Sequence, residues 1–268
     1  MANRLPANLD RGLNVVPPRG AVEAIASALR KSWGFEESEP LELAALLELA
    51  DAEVAIEDLG GGDGGPQGLL VPRREGGFRI EVDPSPPEGW RGAPRALQEE
   101  VTRHRLRFTV MHEIAHSLFY RREARPPERL VKGSEEQERF CDELASALLV
   151  PRSAAMSMPL RPESALALHR AYDVSLEVAT RALVGGHDQA VGWLVVLPED
   201  QSEPWVQWGA ERTQEAVGPW GLLSRFAEGA EEKPSPRGRL RWRNGQTTIA
   251  RAIYLAERRQ LVVTARAA

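Results

Sequence analysis

Two histidines four residues apart, His112 and His116, with Glu113 directly after the first, stand inside the largely apolar stretch RFTVMHEIAHSLFY over residues 107–120. On a helix turning about 100° per residue, His116 lies about 40° around from His112, so both imidazoles can meet one tetrahedral Zn²⁺. Glu113 projects over the same arc and flanks the position a bound water would take. Zinc lowers the pKa of such a water towards about 7, and an uncoordinated carboxylate beside it can take the proton and later pass it to a leaving amine. The plain alternative is a buried helix that happens to carry these three residues. Two histidines do not hold a catalytic zinc by themselves, so the metal reading needs a third protein ligand.

A second helix is expected from the capping pattern at Ser134 and Gln137, through EEQERFCDELASALLV, to Pro151, which ends it. Cys141, Ala145 and Leu148, at steps of four and three, mark a buried face, and Glu138 extends it one turn towards the N-terminus. A glutamate on such a face needs a partner, and zinc is one. Asp142, one turn after Glu138, is placed to accept the outer N–H of a ligand imidazole and fix its tautomer. Glu135 is the alternative ligand, whereas Glu136 and Glu143 point away from the apolar stripe and read as solvated charges. Cys141 is the single cysteine, which excludes an intramolecular disulfide framework and leaves histidine and carboxylate as the metal donors.

The elements that must position these residues follow from periodicity. AVEAIASALRKSW and PLELAALLELADAE read as amphipathic helices. VAIEDL, GLLVP and FRIEVD read as a small, largely antiparallel sheet, with LGGGDGGPQG a turn between strands and PSPPEGWRGAP a loop before the histidine helix. FRIEVD is the strand expected to offer its edge to an extended substrate. Further on, ESALALHRAYDVSLEVATRALVGG reads as two short helices around a turn at Tyr172 to Ser175, with Ser175 capping the second and Gly185 closing it. From Val191 the texture is that of strands, and Asn244-Gly245 signals a hairpin. The 268 residues are 42% apolar and 27% charged with net charge −5, enough for a substantial core and against a wholly basic nucleic-acid binder. The chain lacks a run of about 18 apolar residues and a secretory leader pattern at its start, so a cytoplasmic protein without membrane association is expected.

RFTVMHEIAHSLFY, ERFCDELASALLVP and LHRAYDVSLEVATRAL together resemble the ImmA/IrrE metallopeptidases over about residues 54–185. The resemblance implies an α+β fold: a zinc metallopeptidase domain with a small antiparallel sheet over 1–155, a helix-turn-helix-like segment over 156–187, and a β-rich, GAF-like C-terminal domain over 188–268. It implies that His112, His116 and Glu138 hold Zn²⁺ with Glu113 as the catalytic base, in a bacterial endopeptidase that cleaves a helix-turn-helix repressor during a stress or mobile-element response. Asp142 stands where asparagine is frequent in that pattern, and Leu144 where phenylalanine is.

Two further readings stand beside this one. The first is a DNA-binding or ligand-sensing regulator whose zinc is structural or absent. Its two-helix segment is electrostatically poor, because SLEVATRALVG carries Arg181 alone. The second concerns the tail from Lys233, where Arg237, Arg239, Arg241, Arg243, Arg251, Arg258 and Arg259 face one acid, Glu257. That strip reads either as a contact for nucleic acid, weak at most, or for an acidic partner, or as the solvated face of an antiparallel sheet. For the oxyanion, Tyr120, His104 and Arg107 are near in sequence, with core or surface roles favoured for each.

Overall fold

The computed structural model describes residues 11–36, 39–44, 47, 51–57, 59, 67–85, 93–196, 205–209, 216, 217, 219–228 and 236–266. The glycine-rich stretch LGGGDGGPQG and the loop PSPPEGWRGAP lie largely outside them, as do residues 45, 46 and 48–50 of the expected helix PLELAALLELADAE, whose last two residues, Ala52 and Glu53, belong to a strand instead. Two compact units divide the chain, Met1–Pro151 and Arg152–Ala268.

The first unit begins with helix α1 (Val22–Ser32), whose Val22, Ala26 and Leu29 are buried at the expected steps of four and three. Arg30 is buried with them and donates to the Leu148 carbonyl at 2.7 Å and the Glu36 carbonyl at 2.9 Å, and also to the Glu39 carbonyl. A buried guanidinium is tolerable because backbone oxygens surround it. Strands β1 (Ala52–Ile56), β2 (Gly68–Pro72) and β3 (Phe78–Val82) form a sheet in the order β1-β3-β2. β3 pairs in parallel with β1 and antiparallel with β2, so the sheet is mixed and not largely antiparallel. Phe78, Ile80 and Val82 are all buried, as suits a central strand. FRIEVD therefore has neighbours on both edges and cannot offer one to a substrate; among the described residues β1 and β2 are the edge strands, and β2 is the one that lines the cavity at the histidine pair.

Helix α2 (Arg95–Ser117) is continuous through the histidine motif, and α3 (Glu135–Leu149) packs against it. Met111, Ile114 and Ala115 of α2 and Cys141, Leu144, Ala145 and Leu148 of α3 are buried. Phe119, just past α2, meets Phe140 edge-on with centroids 5.7 Å apart, an arrangement worth about 1 kcal/mol beyond burial. Ser134 caps α3 as expected, its hydroxyl accepting the Gln137 N–H at 3.2 Å, and Pro151 follows the last turn. Between the helices, β4 (Tyr120–Arg121) and β5 (Glu128–Arg129) pair as a short ladder that sets Tyr120 opposite Arg129.

The second unit begins with α4 (Arg152–Ser157), α5 (Pro162–Tyr172) and α6 (Leu176–Gly186). Asp173 in the left-handed conformation ends α5, and Ser175 caps α6 by accepting the Val178 N–H at 3.2 Å, so the turn falls where the sequence put it. α6 continues one residue past Gly185. Strands β6 (Ala190–Val196), β7 (Trp205–Gly209), β8 (Ala216–Val217), β9 (Arg237–Trp242), β10 (Thr247–Leu255) and β11 (Gln260–Arg266) form one antiparallel sheet in the order β7-β6-β11-β10-β9-β8. Helix α7 (Pro219–Glu228) adds Leu222, Leu223 and Phe226 to a core that includes Trp193, Val195, Leu240, Trp242 and Val263. The β9–β10 connection is not a two-residue turn. Gly245 donates to the Trp242 carbonyl at 2.9 Å, Trp242 to the Gln246 carbonyl at 2.9 Å, and Gly245 takes φ 84°, the pattern of a three-residue loop closed by a glycine bulge.

Candidate metal centre

One face of α2 and the first turns of α3 converge on an open cavity of about 430 Å³ in the first unit. Nε2 of His116 lies 2.9 Å from Nε2 of His112 and 3.1 Å from Oε2 of Glu138, and His112 Nε2 lies 3.3 Å from the same carboxylate oxygen. Donors about 2.0–2.1 Å from a tetrahedral zinc stand about 3.3 Å from one another, so this triangle is a few tenths of an ångström tighter than a filled site. On the other side of the His112 ring, Nδ1 meets Oδ1 of Asp142 at 2.9 Å. A carboxylate there accepts the hydrogen bond of Nδ1–H, which fixes the tautomer and leaves the Nε2 lone pair facing the triangle. The donor set fits a divalent cation: two imidazole nitrogens and a carboxylate oxygen directed at one point have too few protons to satisfy one another as hydrogen bonds.

Glu138 reaches this point for a different reason from the one its spacing suggested. Its side chain is 54% exposed, at the rim of the cavity, while the fully buried position beside it belongs to Gln137. Gln137 lies 3.3 Å from Nδ1 of His116 and 3.4 Å from Nη2 of Arg129, so it steadies the second imidazole as Asp142 does the first. Glu135 and Glu136 are exposed and outside the triangle.

Glu113 is buried beside the ligands and hydrogen-bonds to the backbone of Leu70 on β2. Burial holds its carboxyl up at about 7; the positive side of His112 pulls it down, Glu138 pushes it up, and the Leu70 contact pulls it down. Burial also opposes charge on His112, but Asp142, Glu113 and Glu138 together outweigh it and raise that pKa. His116 is lowered, first by burial and then by His112, with Glu138 opposing. Gly68 is needed at its position because a Cβ there would lie 2.4 Å from Thr109 Cγ2 and 3.1 Å from Glu113 Oε1.

Tyr120 and Arg129 line the cavity; His104 and Arg107 do not, and Arg107 donates to the Leu41 carbonyl at 3.1 Å. Sequence reasoning read Gln137 as part of a capping pattern and GLLVP as a strand, and missed that these and Arg129 stand at the site. Gln137 had a signal, since it stands one position before Glu138 on the stripe shared with Cys141 and Leu144. Arg129 had none, because a loop of unknown path separates it from both helices. Among the described residues, no helix is long and apolar enough to cross a membrane.

The sequence pattern of the IrrE N-terminal-like domain, peptidase family M78, matches residues 96–184, from the start of α2 into α6. No curated protein matches the chain. Among solved structures, a Mycobacterium tuberculosis transcriptional regulator is similar at 13% identity with a TM-score of 0.46, covering 92% of this chain and 76% of that one.

Proposed function

We propose, from the match of residues 96–184 to the IrrE N-terminal-like peptidase domain, that the chain is a zinc-dependent endopeptidase of the ImmA/IrrE type that cleaves a helix-turn-helix transcriptional repressor. The observation that carries the reading is the convergence of His112 Nε2, His116 Nε2 and Glu138 Oε2, each within 3.3 Å of the others, beside the buried carboxyl of Glu113. A zinc ion held by these three residues would supply the Lewis acidity that polarises a peptide carbonyl and makes a water acidic. Glu113 takes the proton of the attacking water at its carboxylate and hands it to the departing amide nitrogen. In the metal-free chain burial raises its pKa, and a divalent cation beside it would favour the carboxylate form that accepts the proton. Asp142 and Gln137 keep the two imidazoles oriented.

An extended substrate segment has a place to lie on β2. The Gln67 carbonyl accepts the Asp83 N–H at 3.1 Å and the Arg73 N–H reaches the Gly77 carbonyl at 3.1 Å, so residues 67, 69, 71 and 73 face β3. Gly68 and Leu70 turn their peptide groups outward, towards the cavity they line, where the Leu70 backbone already meets Glu113 and Gly68 is the position left to pair with a substrate. Edge pairing of this kind reads backbone and is tolerant of sequence, which leaves choice of the repressor to contacts around it. The DNA-reading alternative loses its only basic residue on α6, because Arg181 pairs with Glu177 at 2.6 Å.

Metal analysis and co-incubation test the proposal together. The purified chain is expected to carry one zinc per molecule, to cut a candidate helix-turn-helix repressor at a single bond seen by mass spectrometry, and to stop when chelated. Glu138→Gln should lose zinc, and Glu113→Gln should keep zinc while losing cleavage. Cleavage that continues after complete removal of metal would refute the assignment.

A further inference from the structure

We propose that the open face of the β9–β10 hairpin is a docking surface for an acidic protein segment carrying an apolar side chain. Arg237, Arg239 and Arg241 are exposed and alternate with the buried Leu240 and Trp242, so the three guanidiniums leave one face of the sheet. Strand register places Arg241 opposite Thr247, Arg239 opposite Ile249, and Arg237 opposite Arg251. Cross-strand partners share a face, which makes a two-column array spaced about 4.8 Å across and about 6.8 Å along.

Two features of the array point outward to a ligand. Arg237 and Arg251 stand directly opposite each other, an arrangement of like charges that costs stability, and among the described residues none of the four arginines has an acidic partner. Ile249, in the middle of them, is 54% exposed, one of few large apolar side chains so open to water. An apolar centre within an arginine rim is the composition of a protein interface, and planar guanidiniums pair bidentately with carboxylates. Nucleic acid fits less well. Trp242 and Tyr254 sit on the opposite face, Trp242 in the core and Tyr254 packed against it, so these strands present no aromatic platform for bases, and an isoleucine gains nothing from phosphate.

The inference is independent of the hydrolase reading and is tested on the full chain. The probe is a fluorescent glutamate-rich peptide with a single leucine, followed by anisotropy at low and raised salt. Binding is expected at low salt, weakened by salt, at least tenfold weaker in R239A/R241A, and severalfold weaker in Ile249→Ser or when the peptide leucine becomes serine. The charge-reversed chain R239E/R241E should lose this peptide and gain a lysine-rich one, a result that a misfolded variant cannot produce. Absence of binding at low salt, or equal binding by all variants, overturns the proposal. Tighter binding of duplex DNA that is unaffected by Ile249→Ser also overturns it and assigns the face to nucleic acid.

Discussion

Glu113 is where burial, charge and chemistry meet, and its titration can be measured without a substrate. In the metal-free protein its carboxyl stays protonated up to about 7, above its ordinary value of 4.5, because it is buried. Between those two values the folded chain holds a proton that the unfolded chain has released, so stability falls as pH rises through that window. The loss is on the order of 3 kcal/mol. Denaturant midpoints of the metal-free chain are expected to drop between pH 5 and pH 8, and Glu113→Gln to flatten the drop; an equal slope in the variant would remove Glu113 as its source. At Gly68, an added Cβ would overlap the Thr109 methyl and crowd Oε1 of Glu113, the proposed base, so both side chains must shift. Gly68→Ala should therefore lower turnover about a hundredfold with zinc content unchanged. The burial that raises Glu113 also quiets Cys141: it pushes the thiol up, and Glu138, Glu113 and Asp142 push it further. Iodoacetamide at pH 8 should label it only after denaturation, and rapid labelling of the folded chain would contradict this burial.

At the scale of elements, α3 holds the centre together from both ends. Ser134 satisfies an amide at its start, and Ser134→Ala should cost about 1 kcal/mol. At its far end Arg30, from α1, takes the Leu148 carbonyl. Arg30→Met keeps much of the side-chain volume but strands that carbonyl and those of Glu36 and Glu39. A loss of about 3 kcal/mol is expected, read as a lower denaturant midpoint. The legible parts of the fold were those with a strong local period. α2, α3, α5 and α6 follow from apolar steps of three and four with serine caps at Ser134 and Ser175. The three strands of the first unit were legible but not their order or the parallel pair, because residues 52–56, 68–72 and 78–82 can each be read as edge or central, and partner order is a tertiary choice. The hairpin at Asn244-Gly245 was legible in place but not in type, since a glycine after a type I turn and one inside a two-residue turn have the same local sequence.

In the whole molecule, the candidate ligands and the buried base all belong to the unit Met1–Pro151, whereas the arginine face belongs to Arg152–Ala268. Zinc added to the metal-free chain should increase amide-exchange protection in α2 and α3 and leave β9 and β10 unchanged. Protection gained uniformly over the six-stranded sheet would place the metal elsewhere. The order of residues along the chain was sufficient for the histidine pair, the glutamate between them and the helix that brings the next carboxylate, because a helix converts spacing into direction over one or two turns. It was also sufficient to place alternate arginines on one side of a strand. That Glu138 stands at the rim, that Gln137 takes the buried position, that β2 and not β3 lies at the sheet edge beside the cavity, and that Arg129 faces the cavity were decided by how helices, strands and the β4–β5 ladder pack. Those contacts join residues far apart in the chain, and no local periodicity encodes the distance between them.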